Sequence, residues 1–254
     1  MPEAAISRPF DFRLALSLPL TLMTALLLFD PERLDFAVTR LFYVPGEGFS
    51  GRHSYWLENI LHDRVKQFLI ALGVLALAAF CFSLWVQRLK PWRRVLGYLV
   101  LSIGLSTSFV TPLKKLTNIQ CPWDLTEFGG TERFNPLIGA HPQTENPGRC
   151  WPGGHASAGF SLIALYFALR DRRPRAARLA LGVALILGGL MSAGRVMQGA
   201  HFLSHNLWTL LFDWVLCVLC YRLILHRTPE PATAHHSSVA VPSLRALGDV
   251  PSAL

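Results

Sequence analysis

The chain has 254 residues, 52% of them hydrophobic and 16% charged, with a formal net charge of +8. A mean hydropathy of +0.36 excludes an ordinary soluble domain, in which roughly a quarter of residues are charged. The excess cations sit in short loops between apolar stretches, so they point to membrane topology and anionic head groups and call for no nucleic-acid partner.

Predominantly apolar stretches follow one another at residues 14–29, 68–86, 95–113, 156–169, 179–191 and 207–225. Several reach the roughly 17–25 residues that a membrane helix needs; the fourth and fifth are short and require a bundle that shields their polar ends. The expected fold class is all-α, an integral membrane bundle of about six transmembrane helices with an active-site loop and surface helices on the outer side. The first stretch ends at Asp30-Pro31 with no small-residue cleavage site, so it reads as a retained anchor. Residues 34–43 and 56–62 read as short amphipathic helices on the outer surface, either rimming a lipid entrance or packing over the bundle.

Loops 87–94 and 170–178 are short and rich in Lys and Arg, which keeps such loops on the cytoplasmic side. The amino terminus, with Arg8 and Arg13, is then also inside, and segments 30–66, 114–155 and 195–205 face the periplasm or exterior of a cell inner (plasma) membrane. Residues 1–226 form one membrane domain. Residues 227–254, rich in Thr, Pro, Ala, His and Ser, read as a disordered cytoplasmic tail; composition favours this over a metal site at His235-His236.

Cys81, Cys217 and Cys220 fall in spans and read as small apolar groups. Cys121 and Cys150 fall in one outer loop and are either free thiols or a bridge. An oxidising compartment favours the bridge, which would close a loop of roughly thirty residues and contribute about 3–4 kcal/mol.

Three polar clusters interrupt the apolar chain: Lys114 with Cys121-Pro122, Pro152-Gly153-Gly154-His155, and Gly194-Arg195 followed by His201 and His205. Cations, glycines and imidazoles suit a phosphate, and Lys, Arg and His near a bilayer are costly unless they work. If the last cluster is helical, His201 and His205 share one face, with Arg195 within about two turns. The same pair fits a metal with His155 as third ligand, but Phe202 stands where H-E-x-x-H has its glutamate, and no metal is expected.

In order and spacing these clusters resemble the type-2 phosphatidic acid phosphatase superfamily, also called the acid phosphatase and vanadium haloperoxidase superfamily, whose motifs are K-x(6)-R-P, P-S-G-H and S-R-x(5)-H-x(3)-D. The shared positions are Lys114, Pro122, Pro152, Gly154, His155, Arg195 and His201. The chain departs at Cys121 for arginine, Gly153 and Gly194 for the two serines, and His205 for aspartate.

The resemblance implies a lipid phosphatase that works through a phosphohistidine, without metal or cofactor. By position His201 is the nucleophile, His155 the acid that protonates the leaving group, and Lys114 and Arg195 the phosphate clamp. Gly153 and Gly154 let backbone N–H groups approach the anion at a helix start. His205, if neutral, is expected to accept a hydrogen bond from His201 in place of the aspartate, with Asp213 as a more distant support. The missing arginine is expected to be replaced by Arg149, or by Lys115 or Arg133.

The partners are then the bilayer and a lipid phosphate. A phosphotransferase shares every motif. A transporter or lipid-binding scaffold is the non-enzymatic alternative; it gains weight from the motif substitutions and requires His155 and His201 to be dispensable.

Overall fold

A computed structural model describes residues 7–139, 144 and 146–227; the expected tail beyond Arg227 lies outside the described residues. Helix α1 (Phe12–Leu28) begins at Asp11, whose carboxylate accepts from the Leu14 N–H at 3.0 Å and caps the helix. The chain turns through 86° into α2 (Glu32–Arg40). A small hairpin follows, with β1 (Tyr43–Val44) and β2 (Gly48–Phe49) pairing Tyr43 with Phe49. A π-helical stretch (Trp56–Arg64) runs directly into α3 (Val65–Trp85). Next come α4 (Arg93–Thr117), a long loop, α5 (Gly154–Phe160), α6 (Ile163–Leu169), α7 (Pro174–Met197) and α8 (Leu203–Cys220).

The chain is an all-α bundle with the dimensions of a membrane protein. Four helical runs are long and apolar enough to cross a bilayer: Trp56–Trp85, Gln87–Asp124, Pro174–Met197 and Leu203–Leu225. The bent pair α1 and α2 makes a fifth if counted together, and Gly154–Leu169 is apolar but shorter. Of the about six expected spans, the fourth, already short in the sequence, falls below spanning length for a physical reason. Sixteen helical residues reach only about 24 Å, less than the roughly 30 Å hydrocarbon layer. This run lies inside the bundle, with Ala156, Ile163, Ala164 and Phe167 almost fully buried. Helices α5 and α7 touch backbone to backbone: a Cβ on Gly159 would lie 2.6 Å from Gly188 Cα. Small residues permit that approach. Leucine, valine and phenylalanine side chains of α3 such as Val74, Leu75 and Phe82 remain exposed, as a lipid-facing helix requires.

The two ends of the bundle differ in chemistry. At one end the basic loops meet the chain's flanks: Arg170 donates to the Pro9 carbonyl at 3.0 Å, the Arg8 N–H to Asp171 at 3.0 Å, and Arg94 to the Ile224 carbonyl. The end of α4, the start of α5, the end of α7 and the start of α8 therefore meet at the opposite end, where all three polar clusters lie. Helix α2 is fixed to this end by Asp35, whose carboxylate accepts from the Ser204 N–H at 2.9 Å and from the Ser204 hydroxyl. Since Phe202 cannot cap α8, an aspartate from another helix does so.

Candidate active site

The Pro152-Gly153-Gly154-His155 segment enters α5 against the start of α8. The Gly153 N–H donates to the His205 carbonyl at 3.1 Å, and the Thr209 hydroxyl donates to the Gly153 carbonyl at 3.0 Å. A Cβ on Gly153 would lie 2.3 Å from Asn206 Oδ1, so the family serine does not fit here. Lys114, in the last turn of α4, lies over the start of α5: a Cβ on Gly154 would be 3.3 Å from its Cε and 3.4 Å from its Nζ.

Arg195 closes the other side from the last turn of α7. Its Nη1 donates to Gln198 Oε1 at 2.9 Å, and its guanidinium carbon lies 5.6 Å from the centre of the Trp123 ring. The Trp123 N–H donates to the Gly199 carbonyl at 2.9 Å, joining the first cluster to the third. Cys121 and Cys150 are bonded to each other with Cα atoms 5.1 Å apart, and the Cys150 N–H donates to the Ile119 carbonyl at 3.0 Å. The loop from α4 is thus tied beside the His155 segment.

His201 lies in the turn between α7 and α8 and is 3% exposed. Burial, followed by the charges of Lys114, His205 and Arg195, holds its imidazole well below the usual histidine range, so it stands neutral with a lone pair available. His155 Nδ1, Arg195 Nε and His201 Nδ1 are all buried without a hydrogen-bond partner. Buried polar groups normally have partners; three such groups, on motifs that the fold brings together, fit the oxygens and phosphorus of a phosphate.

The remaining expected residues lie differently. His205 is buried, but its ring centre is 6.1 Å from that of His201 and no hydrogen bond joins them. The expected hydrogen bond is missing because Gly153 and Thr209 hold the backbone at His205 to the glycine loop, and its side chain lines a cleft behind the site. Asp213 is two turns further on and pairs with the Ser157 hydroxyl at 3.2 Å. Arg149, Lys115 and Arg133 are exposed and make no hydrogen bond or ion pair with the clustered residues. Among the described residues, no three His, Cys, Asp or Glu side chains converge as a metal set.

Trp123 and Gln198 were not evident as site residues, nor were Glu58 and His62 of the π-helix. The His62 ring centre lies 4.0 Å from that of His155, and Glu58 Oε2 accepts from Gln198 Nε2 at 2.7 Å. Their four-residue spacing was visible in the sequence; their partners were not.

The sequence profile of the PAP2 superfamily matches residues 95–229, just over half of the chain, including all three clusters. The chain belongs to the PAP2 superfamily. No curated protein and no solved structure gave a match. Membership of PAP2 supports a phosphatase activity on phosphate esters, and the helices suit a multi-pass membrane protein.

Proposed function

We propose that this PAP2 protein hydrolyses a phosphomonoester or diphosphate carried on a lipid, through a phosphohistidine and without metal. The observation that carries the reading is the meeting of Lys114, His155, Arg195 and His201 at one end of the bundle, with polar atoms of the last three buried and unpartnered.

Lys114 and Arg195 hold the phosphoryl oxygens, whereas the Gly153 N–H, expected to approach the anion, is instead engaged by the His205 carbonyl. A ring nitrogen of neutral His201 attacks phosphorus as the P–O bond to the lipid breaks. His155, which burial and the neighbouring His62, Arg195 and lysines push well below the usual histidine range, takes up a proton together with the incoming phosphate anion and gives it to the leaving oxygen. Water then attacks the P–N bond, His155 takes its proton, and inorganic phosphate leaves His201 free. A lipid substrate is supported by the setting of the site at one end of a bundle whose long helices expose apolar side chains such as Val74, Leu75 and Phe82. The basic loops at the opposite end favour an active site on the outer face of the membrane.

The test is phosphate release from a panel of lipid phosphates by purified protein, with and without chelator. His201→Ala and His155→Ala should each lower turnover by orders of magnitude, since the pair acts as a unit. Full activity in His201→Ala would refute the mechanism, and chelator inactivation reversed by zinc would replace it with a metallohydrolase.

A further inference from the structure

One departure from the PAP2 motifs, Gly194, faces the Trp56–Arg64 π-helix, which lies against α7. The Gly51 N–H donates to the Met197 carbonyl at 3.1 Å, and a Cβ on Gly51 would come within 2.8 Å of that carbonyl. A Cβ on Gly194, which occupies a family serine position, would lie 3.0 Å from Leu61 Cδ2 and 3.5 Å from Leu57 Cδ2. The helix takes the space of the missing serine side chain.

Its polar residues reach the same place. Glu58 and His62 are separated by one turn, so both can face α7 and α5. Glu58 Oε2 accepts from the buried Gln198 amide at 2.7 Å and lies 3.8 Å from Arg195 Nη1. Its other oxygen lies 3.6 Å from His62 Nδ1, which also pairs with Asp63 at 2.9 Å, and the His62 ring lies against His155 with the two planes tilted by 35°.

We propose that Glu58 is a positioning residue of the phosphatase site, holding Arg195 through Gln198 and His62 against His155. It restores to the site a carboxylate that the motif lacks at His205, but from a different helix and for different partners. It serves the clamp and the acid, not the nucleophile. With Nη1 of Arg195 engaged at Gln198, the buried Nε is the edge left to face phosphate. Arg195 so fixed is ready for the flattened, charge-spread phosphoryl group of the transition state, whereas a loosely held arginine still attracts a ground-state anion.

The inference rests on the phosphatase reading and makes a specific demand on kinetics. In the purified full-length protein, Glu58→Gln should lower kcat at least tenfold with KM unchanged or lower, because removing a negative charge beside an anion site does not weaken ground-state binding. Glu58→Asp should recover part of the loss. Orthovanadate, which adopts trigonal-bipyramidal geometry, should bind about tenfold more weakly to Glu58→Gln, and inorganic phosphate should bind as it does to the parent.

Parent-like kcat in Glu58→Gln would overturn the proposal, as would an equal loss of both anions accompanied by a lower melting temperature. If the parent releases phosphate from no lipid but Glu58→Gln still loses vanadate selectively, the lipid phosphatase reading fails and the role of Glu58 stands. A parent that binds neither anion overturns both.

Discussion

Asp35 sets up a test in which the direction of the effect runs against the usual behaviour of a carboxylate. It is 4% exposed, and burial, opposed in part by the Ser204 hydrogen bonds, raises its pKa from 3.8 to about 6. One pKa unit is about 1.4 kcal/mol, so the shift corresponds to roughly 3 kcal/mol. A raised acid pKa means that the folded protein holds the proton more tightly than the unfolded chain. The stabilisation is fully present below about pH 4 and is lost as pH rises through about 6.

Asp35→Asn keeps an acceptor for the Ser204 N–H but has no charge to bury, so it should lack this dependence. The assay is thermal unfolding in detergent from about pH 4 to about pH 7.5, for parent and variant side by side. The stability difference, parent minus Asp35→Asn, should fall by roughly 3 kcal/mol across that range. Asp35→Ala should be less stable than Asp35→Asn at every pH by about 1–3 kcal/mol, since it leaves the Ser204 N–H at the start of α8 unpaired. Parallel pH curves for parent and Asp35→Asn would refute the reasoning.

Gly153→Ala should destabilise by about 1–3 kcal/mol and lower turnover at least tenfold, because the new methyl group displaces Asn206 and with it the glycine loop. Gly182→Ala, whose Cβ meets nothing within 4 Å, is the matched control, and equal melting temperatures for the two would count against the packing argument. Reducing the Cys121–Cys150 bond, or replacing both residues with Ser, should lower stability by roughly 3–4 kcal/mol in the chain-entropy account. A melting temperature unchanged under full reduction, checked by mass spectrometry, would contradict it.

The membrane character and the PAP2 motifs were legible in the sequence because they are local. Hydrophobicity over a window of residues sets the partition of a helix, and the spacing of Lys114, His155, Arg195 and His201 reflects where loops must emerge from helices at one end of the bundle. Short basic loops likewise revealed which ends lie together. The number of full spans was less legible, because α5 and α6 are buried by neighbours and need not match the thickness of the bilayer themselves.

Sequence alone determined the apolar helices, the clustered cations and the two principal histidines, since each depends on residues near one another in the chain. Tertiary structure alone decided which substitutions are compensated and how. His205 looked like a stand-in for aspartate, yet its backbone is held to the glycine loop and its ring does not bond His201. Arg149 looked like a replacement cation, yet it is exposed. Glu58 reaches Gln198 across 140 positions of chain. Such a contact leaves no periodicity or spacing to read, because it is created by the docking of two helices whose faces meet only when the whole bundle has closed.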